Sequence, residues 1–225
     1  MKICVTLVGV CRPSFLQVKQ NIEKNMQYFR RTYPQHAFDF MVLAWRNSFY
    51  EELRTFCDSA GVACNSIEAV QESEFIYPQR VSQPSIYRMY YSMNRAMDLV
   101  PGGYDCILRI RLDAEVLGFE IHDAVEEGVY YILQEFPDRC GDNISYGSYK
   151  AMKQVWKHEN CLLAGASAEH VVCSTLKKYN YKVKPFKFHY RLYQSNDTYF
   201  DGVAQWSKRS REWMYDGKDY ILRDI

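Results

Sequence analysis

The sequence contains no Gly-x-Gly-x-x-Gly, no Gly-Lys-Ser or Gly-Lys-Thr loop, no Gly-x-Ser-x-Gly and no Cys-x-x-Cys. The first two absences argue against a dinucleotide oxidoreductase and a Walker-type kinase, because both need a glycine-rich phosphate cradle. The third removes the serine elbow of α/β-hydrolases, and the fourth leaves no zinc-type spacing. An excess of one charge is also missing. With 28 Lys and Arg against 27 Asp and Glu, the net charge of +1 creates no field that would draw the chain to nucleic acid or anionic lipid. No apolar run approaches the roughly 20 residues that cross a bilayer, so no transmembrane segment is expected. The first strand-like run, residues 3–10, is too short for a signal-peptide core with its cleavage site. The eight cysteines, at 4, 11, 57, 64, 106, 140, 161 and 173, are scattered. They read as free thiols of a reducing compartment, and the expected location is cytoplasmic.

What is present fits a single α/β domain. A chain of 225 residues can bury a core without disulfide or metal staples. Aromatic residues make up 16%, including 19 Tyr, a composition that serves sugar rings and bases as well as cores. Residues 3–10 predict a strand. Phe15, Val18, Ile22, Met26 and Phe29 then recur at three- and four-residue spacing, so 14–32 predicts a helix with Ser14 as its N-cap. A strand over 38–44, a helix over 51–60 closed by Gly61 and a strand over 62–67 complete a strand-helix-strand-helix-strand order. That order implies parallel pairing in an open, mostly parallel sheet flanked by helices. Further on, 85–100 predicts a helix with a core-facing Met and Tyr stripe, 128–133 a strand, 149–158 and 168–179 helices, and 181–193 a strand. A loop is expected to run through Asp142.

The stretch 104–116 carries the most chemistry. Ile107, Leu108, Ile110 and Leu112 give it the character of a central strand, and it ends in Asp113-Ala114-Glu115. Two carboxylates two residues apart on an extended backbone point the same way and suit an oxygen-loving dication such as Mg²⁺ or Mn²⁺. Arg109 and Arg111 could neutralise phosphate or hold the carboxylates. The plainer reading is a solvated turn with flanking arginines. At the end of the first strand, Gly9 lets a ligand approach the backbone, and Arg12 could pair with a diphosphate beside the following helix N-terminus.

Taken in order, these segments resemble a known family. They are the opening strand with Gly9 and Arg12, the helix start Gln83-Pro84-Ser85-Ile86-Tyr87, the strand with Arg109-x-Arg111-x-Asp113, and Asp142-Asn143-Ile144-Ser145-Tyr146-Gly147-Ser148 followed by Met152. The pattern is similar to GT-A fold nucleotide-sugar glycosyltransferases, found in bacterial lipopolysaccharide and capsule synthesis and in large DNA viruses that glycosylate their capsid proteins. The resemblance implies a Rossmann-like α/β domain, with a donor-binding half near 1–116 and an acceptor half near 117–225. It also implies a nucleoside diphosphate sugar donor (UDP or GDP), a glycan or glycoprotein acceptor, and Mn²⁺ or Mg²⁺. Such enzymes usually hold the metal with Asp-x-Asp. This chain has no strict Asp-x-Asp, and Asp113-Ala114-Glu115 is its nearest substitute.

Carried onto this chain, the resemblance makes Asp113 and Glu115 the metal ligands, with His189 as a further ligand or phosphate contact. Gly9, Arg12, Gln83, Arg109 and Arg111 become donor contacts. Asp142 and Glu169 are the candidate general bases for an inverting transfer. Asp142 also reads as a turn residue, Glu169 as a helix-start acid, and His189 as a structural histidine of an aromatic strand. Two alternatives stand beside the transferase: a sugar nucleotidyltransferase, for which Gly9-Val10-Cys11-Arg12-Pro13 is poor in glycine, and a catalytically inert glycan-binding or assembly module.

Overall fold

A computed structural model of the protein describes residues 1–11, 14–71, 74, 76, 84–136, 139–157, 168–184, 186–192, 211–215 and 220–224. Its first part follows the expected alternation: β1 (Lys2–Val10), α1 (Phe15–Thr32), β2 (Ala37–Arg46), α2 (Tyr50–Ser59), β3 (Ala63–Gln71) and α3 (Pro84–Leu99). β4 (Cys106–Arg111) and β5 (Ala114–Phe119) come next, then β6 (Val129–Phe136) and β7 (Arg139–Ser148). The chain continues with α4 (Tyr149–Val155), α5 (Ala168–Lys178), β8 (Lys182–Lys184), β9 (Phe188–Leu192), β10 (Arg211–Tyr215) and β11 (Tyr220–Asp224).

Seven strands form one sheet in the order β3-β2-β1-β4-β7-β6-β8. β3, β2, β1 and β4 are mutually parallel, β7 runs antiparallel to both β4 and β6, and β8 is parallel to β6. The sheet is therefore mostly parallel, as its strand composition implies. Strands buried on both faces need apolar residues at successive positions, and β1 supplies them. Ile3, Val5 and Leu7 enter a core with Val18, Ile22 and Phe29 of α1 and Leu53 of α2. Cys4 and Val8 enter a second core with Tyr90, Met93 and Met97 of α3, Met152 of α4 and Val172 of α5. Each fully buried side chain of this kind contributes about 1.5–3 kcal/mol relative to exposure.

Three expectations are corrected. The stretch 104–116 is two strands in different sheets, separated by a turn at Leu112 and Asp113. The Leu112 N–H still bonds Val8 O at 3.1 Å, but Asn25 on α1 takes over the backbone beyond it: its Nδ2 donates to Ala114 O at 2.9 Å and its Oδ1 accepts from Val116 N–H at 2.7 Å. β5 consequently leaves the large sheet and edges a second one, in the order β11-β10-β9-β5, that the sequence reading did not contain. The expected loop through Asp142 is strand β7. Ile144 and Tyr146 alternate there with Ser145 and Gly147, which read as loop residues but lie under Tyr130: Ser145 Oγ is 3.1 Å from its Oη, and an added Cβ on Gly147 would touch its ring at an ordinary 3.4 Å. The expected strand over 181–193 is β8 and β9, one in each sheet.

Candidate active-site crevice

The strand order 3-2-1-4 reverses direction between β1 and β4, because the connections through α1 and α2 wind one way and the connection through α3 winds back. In open α/β sheets this switch point leaves a crevice outside the carboxyl ends of the two strands, where ligands bind. Here those ends are Gly9 on β1 and the Leu112–Asp113 turn after β4. Gly9 has φ +152°, a region that side chains disfavour, and it faces Leu112, whose Cβ would lie 3.5 Å from an added Cβ. The loop after β1 is anchored to the loop after β2: Asn47 Nδ2 donates to Cys11 O at 2.8 Å, while its Oδ1 accepts from Phe49 N–H at 3.1 Å.

Arg111 closes β4 and folds onto Asp113. Its Nε donates to Oδ1 at 2.9 Å and its Nη2 to Oδ2 at 2.7 Å, a bidentate pair. The carboxylate is buried, with 4% of its side chain exposed, whereas the arginine keeps 25%. Glu115 has different partners. Lys24 Nζ of α1 donates to its Oε1 at 2.7 Å, and Arg191 Nη1 of β9 lies 3.9 Å from its Oε2. Lys24 is half exposed, at 50%. β5 is held here by its helix-side edge, since Phe119 N–H donates to Tyr28 Oη at 2.7 Å, Ile121 N–H to Tyr33 Oη at 3.2 Å, and Tyr33 Oη to Phe119 O.

The other expected residues separate into four groups. His189 is half-buried on β9, in register with Gly118, where an added Cβ would stand 3.4 Å from the His189 Cβ. Glu115 is in register with Arg191, so strand alternation puts His189, Arg191 and Glu115 on one face of the small sheet. Arg109 lies deeper on β4 than Arg111. Its Nε donates to Met93 Sδ at 3.1 Å and its guanidinium sits 4.9 Å from the Trp156 ring centroid, so it is packed into the α3 and α4 side of the sheet. Arg12 and Gln83 lie outside the described residues. The backbone of Asp142 belongs to β7, two residues beyond the Ile144 that pairs with Ile110, hence toward the crevice end of β4. The Glu169 backbone is in the first turn of α5. The side chains of both lie outside the described residues.

Sequence reasoning missed Lys24, Asn25 and Arg191. Asn25 did leave a signal. With Asn21 it interrupts the apolar stripe of α1 at four-residue spacing, and a polar residue at a core-facing helical position needs a buried partner.

The expected divalent ion would meet a donor set that is already engaged. Asp113 uses both carboxylate oxygens on Arg111, and Glu115 already binds a lysine and faces an arginine. Among the described residues no three His, Cys, Asp or Glu side chains form a metal-ligating group. Carboxylates neutralised pair by pair offer little charge to a hard dication, and as arranged they do not fit one. Asp113 and Glu115, expected to point together, instead turn to separate cations.

No family model matches the chain, and no curated protein matches it in sequence. Among solved structures it is similar to a Drosophila β1,4-galactosyltransferase 7 mutant in complex with manganese, UDP-Gal and xylobiose, at 12% identity and TM-score 0.49. That match covers 82% of this chain and 64% of the other, so the chain spans less than two thirds of the galactosyltransferase it matches. It is also similar to mouse xyloside xylosyltransferase 1, at 8% identity and TM-score 0.47, over 79% of this chain and 81% of that one. A 4-diphosphocytidyl-2C-methyl-D-erythritol synthase from Anaerococcus prevotii matches at 8% identity and TM-score 0.45, over 82% and 86% of the two chains. Likenesses this distant transfer no activity. Among the described residues no helix is long and apolar enough to cross a membrane.

Proposed function

We propose that the protein transfers a sugar from a nucleoside diphosphate sugar, UDP- or GDP-linked, to a hydroxyl of a glycan or glycoprotein acceptor. The observation that supports this reading most is the switch point between β1 and β4. There a glycine backbone without a side chain stands beside a turn closed by the partly exposed Arg111. Such a crevice suits an extended anionic ligand, with the diphosphate against Gly9 and Arg12 and the nucleoside along the strand ends.

In this reading the bond from the anomeric carbon to the diphosphate oxygen breaks, and negative charge gathers on the leaving nucleoside diphosphate. Arg111 and Lys24 take up that charge, and Asp113 and Glu115 hold the two cations in place. Fixed charges aimed at a developing oxyanion need no reorganisation during the reaction, and losing one typically costs about 3–4 kcal/mol in the transition state. Arg191 and His189 extend the same face, and Gln83 belongs to the donor side. Asp142 or Glu169 would remove the acceptor proton if the transfer inverts the anomeric centre. Residues 1–116 make up the donor half and 117–225 the acceptor half. The metal implied by the family resemblance enters no step, because both of its expected ligands are paired.

The test measures melting temperature with UDP, GDP and their sugar conjugates, each with and without Mn²⁺, on wild type and Lys24→Met. A ligand that binds only the folded chain raises its stability by mass action. The expected result is stabilisation by one nucleoside diphosphate without metal, a smaller shift in Lys24→Met, and slow release of that diphosphate from the matching sugar conjugate. Stabilisation only with Mn²⁺ would restore the metal and overturn the role given to the cations. Binding without turnover of any donor would favour the inert glycan-binding module, which the pairing of both carboxylates also supports. If no nucleotide shifts the melt, sugar transfer is refuted.

A further inference from the structure

Arg111 and Lys24 each meet a carboxylate, but Arg46, the last residue of β2, meets none among the described residues. Its guanidinium lies over the Tyr50 ring, 5.3 Å from the centroid, and its Nε is enclosed with no hydrogen-bond acceptor among the described residues. The side chain is half-buried, which leaves the two terminal nitrogens as the donors a ligand can reach. The platform beneath it is fixed. Tyr50 is buried as the first residue of α2, its N–H donates to Asn47 O at 3.1 Å, and Asn47 Nδ2 ties this loop to Cys11 O at 2.8 Å. A planar guanidinium stacked on a fixed ring keeps its donors in one plane. Pairing between β2 and β3 jumps from Ala44 with Ser66 to Arg46 with Gln71, a bulge of the kind that re-aims side chains at sheet ends.

Strand register places Arg46 against the crevice. Gly9 pairs with Ala44 and Val10 with Trp45, so Arg46 stands one strand aside from Gly9, about 4.8 Å, and two residues further along, about 7 Å. In the sheet order β3-β2-β1-β4, β2 lies on the opposite side of β1 from the turn that carries Asp113 and leads to Glu115. With the diphosphate against Gly9 and the sugar toward Lys24, the nucleoside extends over the end of β2. That is where the fork of Arg46 stands.

We infer that Arg46 reads the base of the donor and selects guanine over uracil, an inference that rests on the sugar-transfer reading above. Two parallel N–H donors match two neighbouring acceptors. Guanine presents such a pair as N7 and O6, the commonest partner of an arginine fork, whereas the acceptors of uracil, O2 and O4, are separated by the N3–H donor. Arginine has no acceptor for that proton, so uracil can engage only one of its oxygens there. A lysine supplies the same charge without the fork, and so cannot make the distinction.

Isothermal titration calorimetry on the full-length chain gives dissociation constants for GDP, UDP and pyrophosphate, for wild type, Arg46→Lys and Arg46→Met, with a thermal melt of each variant as the check of folding. A bidentate pair discriminates by about 5- to 150-fold, so wild type should bind GDP tighter than UDP by a factor in that range. Arg46→Lys should bring the ratio of the two near one by weakening GDP, and Arg46→Met should do the same. Equal or tighter binding of UDP by wild type, or a preference for GDP that survives Arg46→Lys, overturns the role of Arg46 and leaves sugar transfer standing. If Arg46→Met weakens GDP, UDP and pyrophosphate by one common factor, Arg46 is a phosphate contact and the base assignment is overturned. If wild type binds none of the three, the donor reading fails and this inference falls with it. Should the methionine variant not fold, the lysine variant decides, because its ammonium can still lie over Tyr50.

Discussion

Replacing Asn25 by alanine should be among the costliest single changes at the crevice. Asn25 is 1% exposed, and its amide spans the buried backbone edge of β5 with bonds of 2.9 Å to Ala114 O and 2.7 Å from Val116 N–H. Alanine strands one buried acceptor and one buried donor that water cannot reach. Each such group costs about 1–3 kcal/mol, so the sum is about 2–6 kcal/mol. A domain is stable by only about 5–15 kcal/mol, so the substitution removes a large share of the total. Tyr28→Phe is the internal comparison. It removes one bond from Phe119 N–H at 2.7 Å and one to Phe119 O at 3.3 Å, but Tyr28 is half-buried and water can replace its hydroxyl, so its cost should stay near 1 kcal/mol. Urea unfolding followed by far-ultraviolet circular dichroism gives both values by linear extrapolation. If Asn25→Ala costs less than Tyr28→Phe, or under about 1 kcal/mol, α1 does not hold β5 as described.

Gly9→Ala should lower stability by about 1–3 kcal/mol through backbone strain at φ +152°, since the added Cβ itself meets Leu112 at an ordinary 3.5 Å; a thermal melt unchanged from wild type would refute this. Trp156→Phe removes the 2.7 Å bond from its Nε1 to Tyr130 Oη and weakens the stack under Arg109, with an expected loss of about 2 kcal/mol in urea unfolding. That variant should leave any nucleotide-induced melting shift intact, because Arg109 packs against Met93 and Trp156, while Asp113 is paired with Arg111. Stability should also fall at alkaline pH. The thiols of Cys4, Cys11 and Cys106 are raised by burial from 9.0 to about 12, so the native state resists their ionisation. Their contribution is fully present below pH 9 and is lost as the pH rises through about 12. Urea midpoints that stay flat over that window would contradict it.

The spacing of apolar residues along the first hundred positions was enough to read β1, α1, β2, α2, β3 and α3 and their parallel order, because each element is long and its period matches the face it buries. Gly9 and the carboxylate-bearing turn were legible for a related reason: a glycine at a strand end and acids after an apolar run are local signals. Three things were decided elsewhere. The break of 104–116 into β4 and β5 depends on Asn25, nearly ninety residues away in sequence. The identity of β7 as a strand depends on its antiparallel pairing with β4 on one side and β6 on the other. The partners of Asp113 and Glu115 depend on how β4, α1 and β9 converge, and that convergence sets Asp113 against Arg111 and Glu115 between Lys24 and Arg191. Periodicity reports which face of an element is buried. It carries no record of what lies opposite that face, so the sequence determined the elements of the first hundred residues, and only the packed chain determined the later strands, the second sheet and which charges meet at the turn after β4.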